Sequence, residues 1–419
     1  MHGIEDSKVQ FHLLSFEGPD AYARAGGLAS RVEGLTRTLA ELWLETHLWF
    51  IGDPDQAGHE HRDPLHLHRW AQWVSRFHPG GVYDGEVGKA NEYSTSLPPY
   101  LMREAILPHA GRGGRVVVLA EEWHTVQAVL HLHELLVGAG IRDQVRMLWN
   151  ANNTFGFEAI PWDRLREAAV VTTVSRYMKH RMRAYGVDPV VIPNGLPTDA
   201  FDPADRHVVA ELRRRFRDRT LLAKMARWHP DKGWMQSLEI AAALKRERWR
   251  PLMLVRGGAE PFGGEVLGRA HALGLQVVER EWRVPGATGL LGALGETGNA
   301  DLVNLRSHVD PDARRVLLRA VDAVLANSSH EPFGLVGLET MAAGGVACTG
   351  CSGEDYAVPG QNALVLETSD PREFVGLYGP LRADPQEALR LRRAGQSTSR
   401  RYAWRRVVEG ALLPRVQLA

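Results

Sequence analysis

Two carboxylates, Glu331 and Glu339, stand eight positions apart in the run from Ser328 to Gly344. Pro332, Phe333 and Gly334 lie between them, and Leu335 opens a helical pattern. The apolar residues from Asp322 to Ala326 just before have the composition of a buried strand. A strand, a small-residue loop and a helix start together make an anion site, because unpaired N–H groups and the helix dipole point out of it. Pro332 suits a tight loop or a helix entry, and Gly334 lets the backbone approach a ligand closely. Glu331 would lie at one end of that ligand and Glu339 beside the other. A phosphate flanked on both sides by hydroxyl-bearing groups describes a sugar nucleotide.

Three further constellations could act with it. Arg227 and Lys232 are two cations five positions apart on a Pro230-Asp231 turn, followed by Gly233. Arginine offers a planar two-donor fork and lysine a point charge, so the pair could converge on one diphosphate. The alternative is a solvated basic turn. Arg24-Ala25-Gly26-Gly27 precedes a helical pattern, and adjacent glycines there expose backbone N–H groups to an anion. The spacing is not that of a dinucleotide fingerprint, and a plain strand-to-helix turn is the competing reading. His124, in Glu121-Glu122-Trp123-His124, falls at a predicted helix start, where a histidine is either a cap or a group that meets substrate. Asn152 and Asn153 follow a predicted strand ending at Trp149 and could touch an acceptor.

Continuous apolar runs alternate with helical patterns along the whole chain. Strands are expected at 9–15, 47–51, 115–119, 145–149, 170–174 and 190–192, then at 221–226, 251–255, 275–278, 322–326, 345–348 and 363–366. Helices are expected at 30–44, 124–138, 176–185, 204–217, 235–246 and 314–321. Apolar strands alternating with helices imply parallel sheets covered on both faces. The two series predict two doubly wound domains, 1–196 and 197–400, joined at the Pro193-Asn194-Gly195 turn. Ligands of such sheets bind at the carboxyl ends of the strands, so two facing domains would form a central cleft. The span 52–114 reads as irregular. It carries His59, His61, His66 and His68, then aromatics from Trp70 to Tyr100 that could stack on sugar rings or form a satellite core.

These motifs resemble those of retaining GT-B glycosyltransferases of family 4, with features of the glycogen and starch synthases. Glu331-Pro332-Phe333-Gly334-Leu335 through Glu339 is similar to the family's E-x7-E signature. Ala226-Arg227 to Lys232-Gly233 resembles its G-R-x-x-x-x-K-G, with alanine for the first glycine. Arg24-Ala25-Gly26-Gly27-Leu28 resembles K-x-G-G-L, with arginine for lysine, and Glu122-Trp123-His124-Thr125 resembles D-W-H-T. Asn152 and Asn153 stand where the synthases carry a His-Asn pair, and the histidine is absent here. The resemblance implies a nucleotide-diphosphate sugar, UDP- or ADP-glucose, as substrate, a glycosyl acceptor as partner, and a role in carbohydrate metabolism. It assigns Arg227, Lys232, Glu331 and His124 to catalysis. It assigns Gly26, Gly27, Phe333, Gly334, Leu335 and Glu339 to the donor, and Arg24, Asn152 and Asn153 to the acceptor side. It also implies that a final helix, 401–419, packs back on the first domain. No cofactor or metal is expected, because arginine and lysine do the charge work. A sugar-nucleotide 2-epimerase or a non-catalytic nucleotide-sugar-binding protein would share the fold and donor site.

Composition bounds the remaining possibilities. The chain of 419 residues has 50 basic and 50 acidic side chains, and this zero net charge argues against nucleic acid as a partner. There is no run of ~18 apolar residues to span a membrane, and the Glu5-Asp6 start lacks a signal layout, so a cytoplasmic protein is the default expectation. Cys348 and Cys351 are the only cysteines. Zinc sites normally take four ligands, so a lone pair argues for a turn rather than a metal site. The histidine run suggests a metal, but no acidic partner pattern supports one. Oligomeric state, donor base and acceptor are left open at this stage.

Overall fold

Fifteen strands and the helices between them organise residues 9–416, which the computed structural model describes apart from the side chain of Glu296. Glu5 and Asp6, and the last three residues of the expected final helix, lie outside that range. The chain divides into two compact units, one of residues 1–195 plus 404–419 and one of residues 196–403.

The first unit holds β1 (Val9–Leu14), β2 (Glu45–Ile51), β3 (His59–Arg62), β4 (Leu65–Trp70), β5 (Arg115–Glu121), β6 (Val145–Ala151), β7 (Val170–Thr173) and β8 (Val190–Val191). Their order across the sheet is β3-β4-β2-β1-β5-β6-β7-β8. Every pair is parallel except β3 with β4. The span expected to be irregular therefore carries two strands and the Glu86–Leu101 helix. The strands were hidden because β3 carries no apolar residue and β4 alternates leucine with histidine before Arg69, so neither is an apolar run. The helix was hidden by Pro98 and Pro99 within it.

The second unit holds β9 (Thr220–Met225), β10 (Pro251–Arg256), β11 (Val277–Arg280), β12 (Leu302–Leu305), β13 (Ala323–Ala326), β14 (Ala347–Thr349) and β15 (Leu364–Val365). The order is β11-β12-β10-β9-β13-β14-β15, all parallel. Successive strand residues point to opposite faces, and the packing follows this. Met253 and Val255 of β10 join one apolar cluster, while Leu252 and Leu254 join another. Two cores on the two faces explain why these strands read as unbroken apolar runs.

In each sheet the strand order reverses at one place: beside β1, between β2 and β5, and beside β9, between β10 and β13. Such a reversal leaves a crevice at the carboxyl ends, because successive crossovers leave on opposite faces. The loops after β1 and β5, and those after β9 and β13, are therefore where chemistry is expected. Among the described residues, no helix is long and apolar enough to cross a membrane.

Candidate active site

In the second unit, the loops after β9 and β13 are tied together. The Ser329 N–H donates to the Asp231 carbonyl at 2.9 Å. Behind them the Asn327 amide is fixed from both ends. It accepts from the Lys224 ammonium at 2.8 Å and from Ser237 at 3.0 Å, and it donates to Gln236 at 2.8 Å. Gly233 caps the Trp234–Arg246 helix with φ +65°, and a Cβ there would meet the Asn327 carbonyl oxygen at 2.0 Å. Only glycine satisfies both the left-handed backbone and this approach.

The result is a direct ion pair. Lys232 Nζ donates to Glu331 Oε2 at 2.9 Å, with the two side chains only 17% and 20% exposed. The Glu331 amide is held in turn by Ser352 Oγ at 2.9 Å. Gly334, at φ +79°, caps the Leu335–Ala342 helix with no side-chain cap bond, and the first N–H groups of a helix have no partner within it. A Cβ at Gly334 would come within 2.6 Å of Glu354 Cγ, and Tyr356 donates its hydroxyl hydrogen to the Gly334 carbonyl. Phe333 is buried and packs on Tyr356 and Tyr402. Glu339 pairs with Arg314 from the preceding Pro311–Ala320 helix. Arg227 is exposed, with no ion-pair partner among the described residues. The second unit thus brings Lys232, Glu331, Phe333, Gly334 and Leu335 together, with Glu339 further along the same helix.

Two titratable groups beneath this site were not visible in the motifs. Lys224, fully buried in β9, has its ammonium pushed down to about 7, chiefly by burial and with Lys232 adding to it. Glu354 is buried with Oε1 unpartnered among the described residues. Burial first, and the neighbouring Glu331 charge second, push it up to about 8. The signal for Lys224 was the scarcity of lysine and its place inside an apolar strand. Cys348 is buried and Cys351 exposed, both as free thiols.

In the first unit the Gly26-Gly27 loop starts the Gly27–Glu41 helix, as its glycines imply. The anion at its amides is one of the chain's own. Glu17 Oε2 accepts from the N–H groups of Gly26 and Ala29, both at 3.0 Å, and Oε1 accepts from the Tyr83 hydroxyl at 2.6 Å. A diphosphate at Gly26 would therefore compete with Glu17, a residue that no motif singled out. Arg24 lies just before this loop. Its guanidinium, assigned to the acceptor side, pairs with Glu33 at 2.6 Å.

His124 is buried in a short turn after β5. It stacks on Phe16 at 4.1 Å and on Trp123 at 3.9 Å. Its Nε2 lies 2.7 Å from Glu86 Oε1, and Nδ1 has no partner among the described residues. Burial lowers its pKa against the opposing pull of Glu86. Just before it, Glu122 adopts φ +70°, a sparsely populated conformation for a side-chain-bearing residue, and such conformations persist where the surroundings over-determine them. Its buried carboxyl accepts from the Asn152 N–H at 2.6 Å, and burial pushes it up to about 8.

Asn152 also donates to Glu121, which takes part in a buried pair with Arg31 at 3.0 Å. Asn153 instead accepts from the Phe155 N–H at 2.8 Å, a local turn contact. Of the aromatics expected to stack on sugar or form a small core, Tyr93 is buried, while Trp73 and Phe77 are exposed.

No protein-family model matches the chain. Among known proteins it is similar to a D-inositol 3-phosphate glycosyltransferase of Acidothermus cellulolyticus, 28% identical over 251 residues, which are 58% of this chain and 52% of that one. A protein of the same name from Thermomonospora curvata is 25% identical over 421 residues, 96% of this chain and 79% of the relative. The match therefore spans about half the length of the first relative and more of the second. Among solved structures, the catalytic domain of starch synthase IV from Arabidopsis thaliana, bound to ADP and acarbose, matches with a TM-score of 0.65 at 15% identity, over 96% of this chain and 99% of that one. The fold is accordingly the two-domain, Rossmann-like fold of GT-B glycosyltransferase structures.

Proposed function

We propose that the protein is a retaining glycosyltransferase of the family 4 type. It would move a sugar, glucose as first choice, from a nucleotide-diphosphate sugar to a carbohydrate or small-molecule acceptor. One observation carries the reading: Lys232, Glu331 and the Gly334 helix start converge at the strand-order reversal of the second unit. A cation, a carboxylate and free backbone amides at such a place suit a diphosphate beside a polyol.

In this reading Glu339 holds the ribose hydroxyls, and Arg314 orients its carboxylate. Lys232, Arg227 and the amides around Phe333–Leu335 take the diphosphate, while Glu331 takes hydroxyls of the donor sugar. Breaking the bond from the anomeric carbon to the phosphate oxygen builds negative charge on the diphosphate. Fixed cations and amides stabilise it without reorganising. The acceptor hydroxyl bonds the anomeric carbon from the same face, and its proton passes to the departing phosphate oxygen. No protein nucleophile is then needed. His124 and the Gly26-Gly27 loop supply the acceptor side. The names of the relatives favour a small polyol phosphate, such as D-inositol 3-phosphate, in the first acceptor screen, beside glucans.

A thermal-shift panel of nucleotide sugars, followed by an acceptor screen with the best donor, tests the proposal. A donor-dependent rise in Tm and an α-linked product are expected. Release of free nucleotide and a rearranged sugar without any acceptor would point to an epimerase. Binding with neither transfer nor hydrolysis would point to a sensor.

A further inference from the structure

The edge of the first unit's sheet carries a side-chain cluster that the transfer chemistry does not use. Strand pairing sets His12 opposite His47, His47 opposite His66, and His66 opposite His61. Directly opposed residues share a face of the sheet, so four imidazoles from four strands form one row. The rings of His12 and His47 stack at 4.7 Å, and those of His47 and His66 at 4.6 Å. His61 Nδ1 lies 3.0 Å from His66 Nδ1. Glu45, two positions before His47 and so on the same face, brings Oε1 to 3.2 Å from His47 Nε2. One ligand atom from each of Glu45, His47 and His66 lies within 4.8 Å of the other two. Within the run Asp63 Oδ1 lies 3.6 Å from His66 Nε2, but the carboxylate that meets both histidines is Glu45. It comes from β2, fourteen positions before His59.

We propose that Glu45, His47 and His66, with His61 as a fourth donor, bind a divalent transition metal, zinc foremost. Imidazole nitrogen with a single carboxylate suits zinc, nickel or copper, whereas magnesium and calcium take oxygen shells. Zinc bonds to nitrogen and oxygen are about 2.0–2.2 Å long. Strand pairing fixes the backbones that hold His47 opposite His66 and His66 opposite His61.

The site is reachable yet partly dehydrated: the His47 and His66 side chains are 12% and 10% exposed, and that of Glu45 is 45% exposed. Glu45 is the first residue of β2, at the amino ends of the parallel strands and so at the opposite edge of the sheet from the loops after β1 and β5. The metal's role is to clasp the antiparallel edge strand β3 onto β4 and β2. This does not rest on the glycosyltransferase reading.

The test uses full-length protein without a polyhistidine tag, stripped with a chelator and titrated with Zn2+ against a chromophoric chelator. Thermal unfolding is followed with and without Zn2+. One equivalent is expected to bind at least tenfold more tightly than any further zinc, with a rise in Tm. Glu45→Gln and His66→Ala should each weaken that equivalent by tenfold or more and abolish the rise. His207→Ala, at an exposed remote histidine, should change neither. If His66→Ala does not fold, the half-exposed Glu45→Gln decides alone. Absence of a tight equivalent, or equal binding in Glu45→Gln and the parent, overturns the proposal.

Discussion

Lys232 donates to Glu331 across 2.9 Å, so an arriving diphosphate competes with a carboxylate for the ammonium. If Lys232 and Arg227 each supply about 3 kcal/mol to the departing diphosphate, Lys232→Ala and Arg227→Ala should each lower kcat by roughly 10²-fold or more. Steady-state transfer with the best donor measures this, and near-normal rates in both variants would remove the assignment. If Glu339 holds the ribose, Glu339→Gln should instead raise the donor KM more than it lowers kcat, because such a contact would be made in the ground state as well. Glu354 carries a pH signature. Its folded pKa is raised to about 8 from an ordinary value of 4.5. Its contribution to stability is therefore complete below about 4.5 and is lost as pH rises through 8, because the unfolded chain releases the proton first. Glu354→Gln should gain Tm relative to the parent as pH moves from 5 to 8. Parallel Tm profiles across that range would reject this. At this scale the motif residues were legible, since a turn with Arg227, Lys232 and Gly233 advertises charge on a tight loop. Glu17 and Lys224 were not. A carboxylate that fills an amide pocket, and a lysine buried under a site, owe their roles to neighbours that no local pattern names.

The elements that hold these residues depend on a few backbone positions. Gly233 is the sharpest case, with a left-handed φ and the Asn327 carbonyl where a Cβ would go. Gly233→Ala should cost about 2 kcal/mol or more in chemical denaturation. It should also depress transfer, because Lys232 is the preceding residue. Retained activity with unchanged stability would contradict the close approach. Most strands could be read as apolar runs because both faces of each sheet are buried. β3, β4 and β12 escaped, β3 because it carries no apolar residue and β4 because histidines interrupt its leucines at every second position. β12 escaped because it is four residues long with a buried asparagine, Asn304.

Across the whole molecule, the chain leaves the first unit at Gly195 and returns to it at Trp404. The returning helical run seats Trp404, Val407, Val408, Leu412 and Val416 in the apolar cluster of β1, β2 and the Gly27–Glu41 helix. Trp404 is buried and lies over the Arg31 guanidinium at 5.8 Å. Trp404→Ala should therefore cost about 3–5 kcal/mol, seen as a lower urea midpoint for the transition that exposes the first unit's core. An unshifted midpoint would mean the run contributes little to that core.

The sequence by itself determined the α/β class, the two series of strands and the loop positions of the Arg227–Lys232 and Glu331–Glu339 motifs, because burial periodicity and turn chemistry are local properties written into neighbouring side chains. Tertiary structure alone decided the partnerships: Lys232 with Glu331, Glu339 with Arg314, Glu17 with the Gly26 amide, and Glu45 with His47 and His66. In all but the β2 contact of Glu45 with His47 and the Glu17–Gly26 contact within the connection after β1, the partners lie on different elements, and their distances are set by strand order and loop closure. No window along the chain contains either.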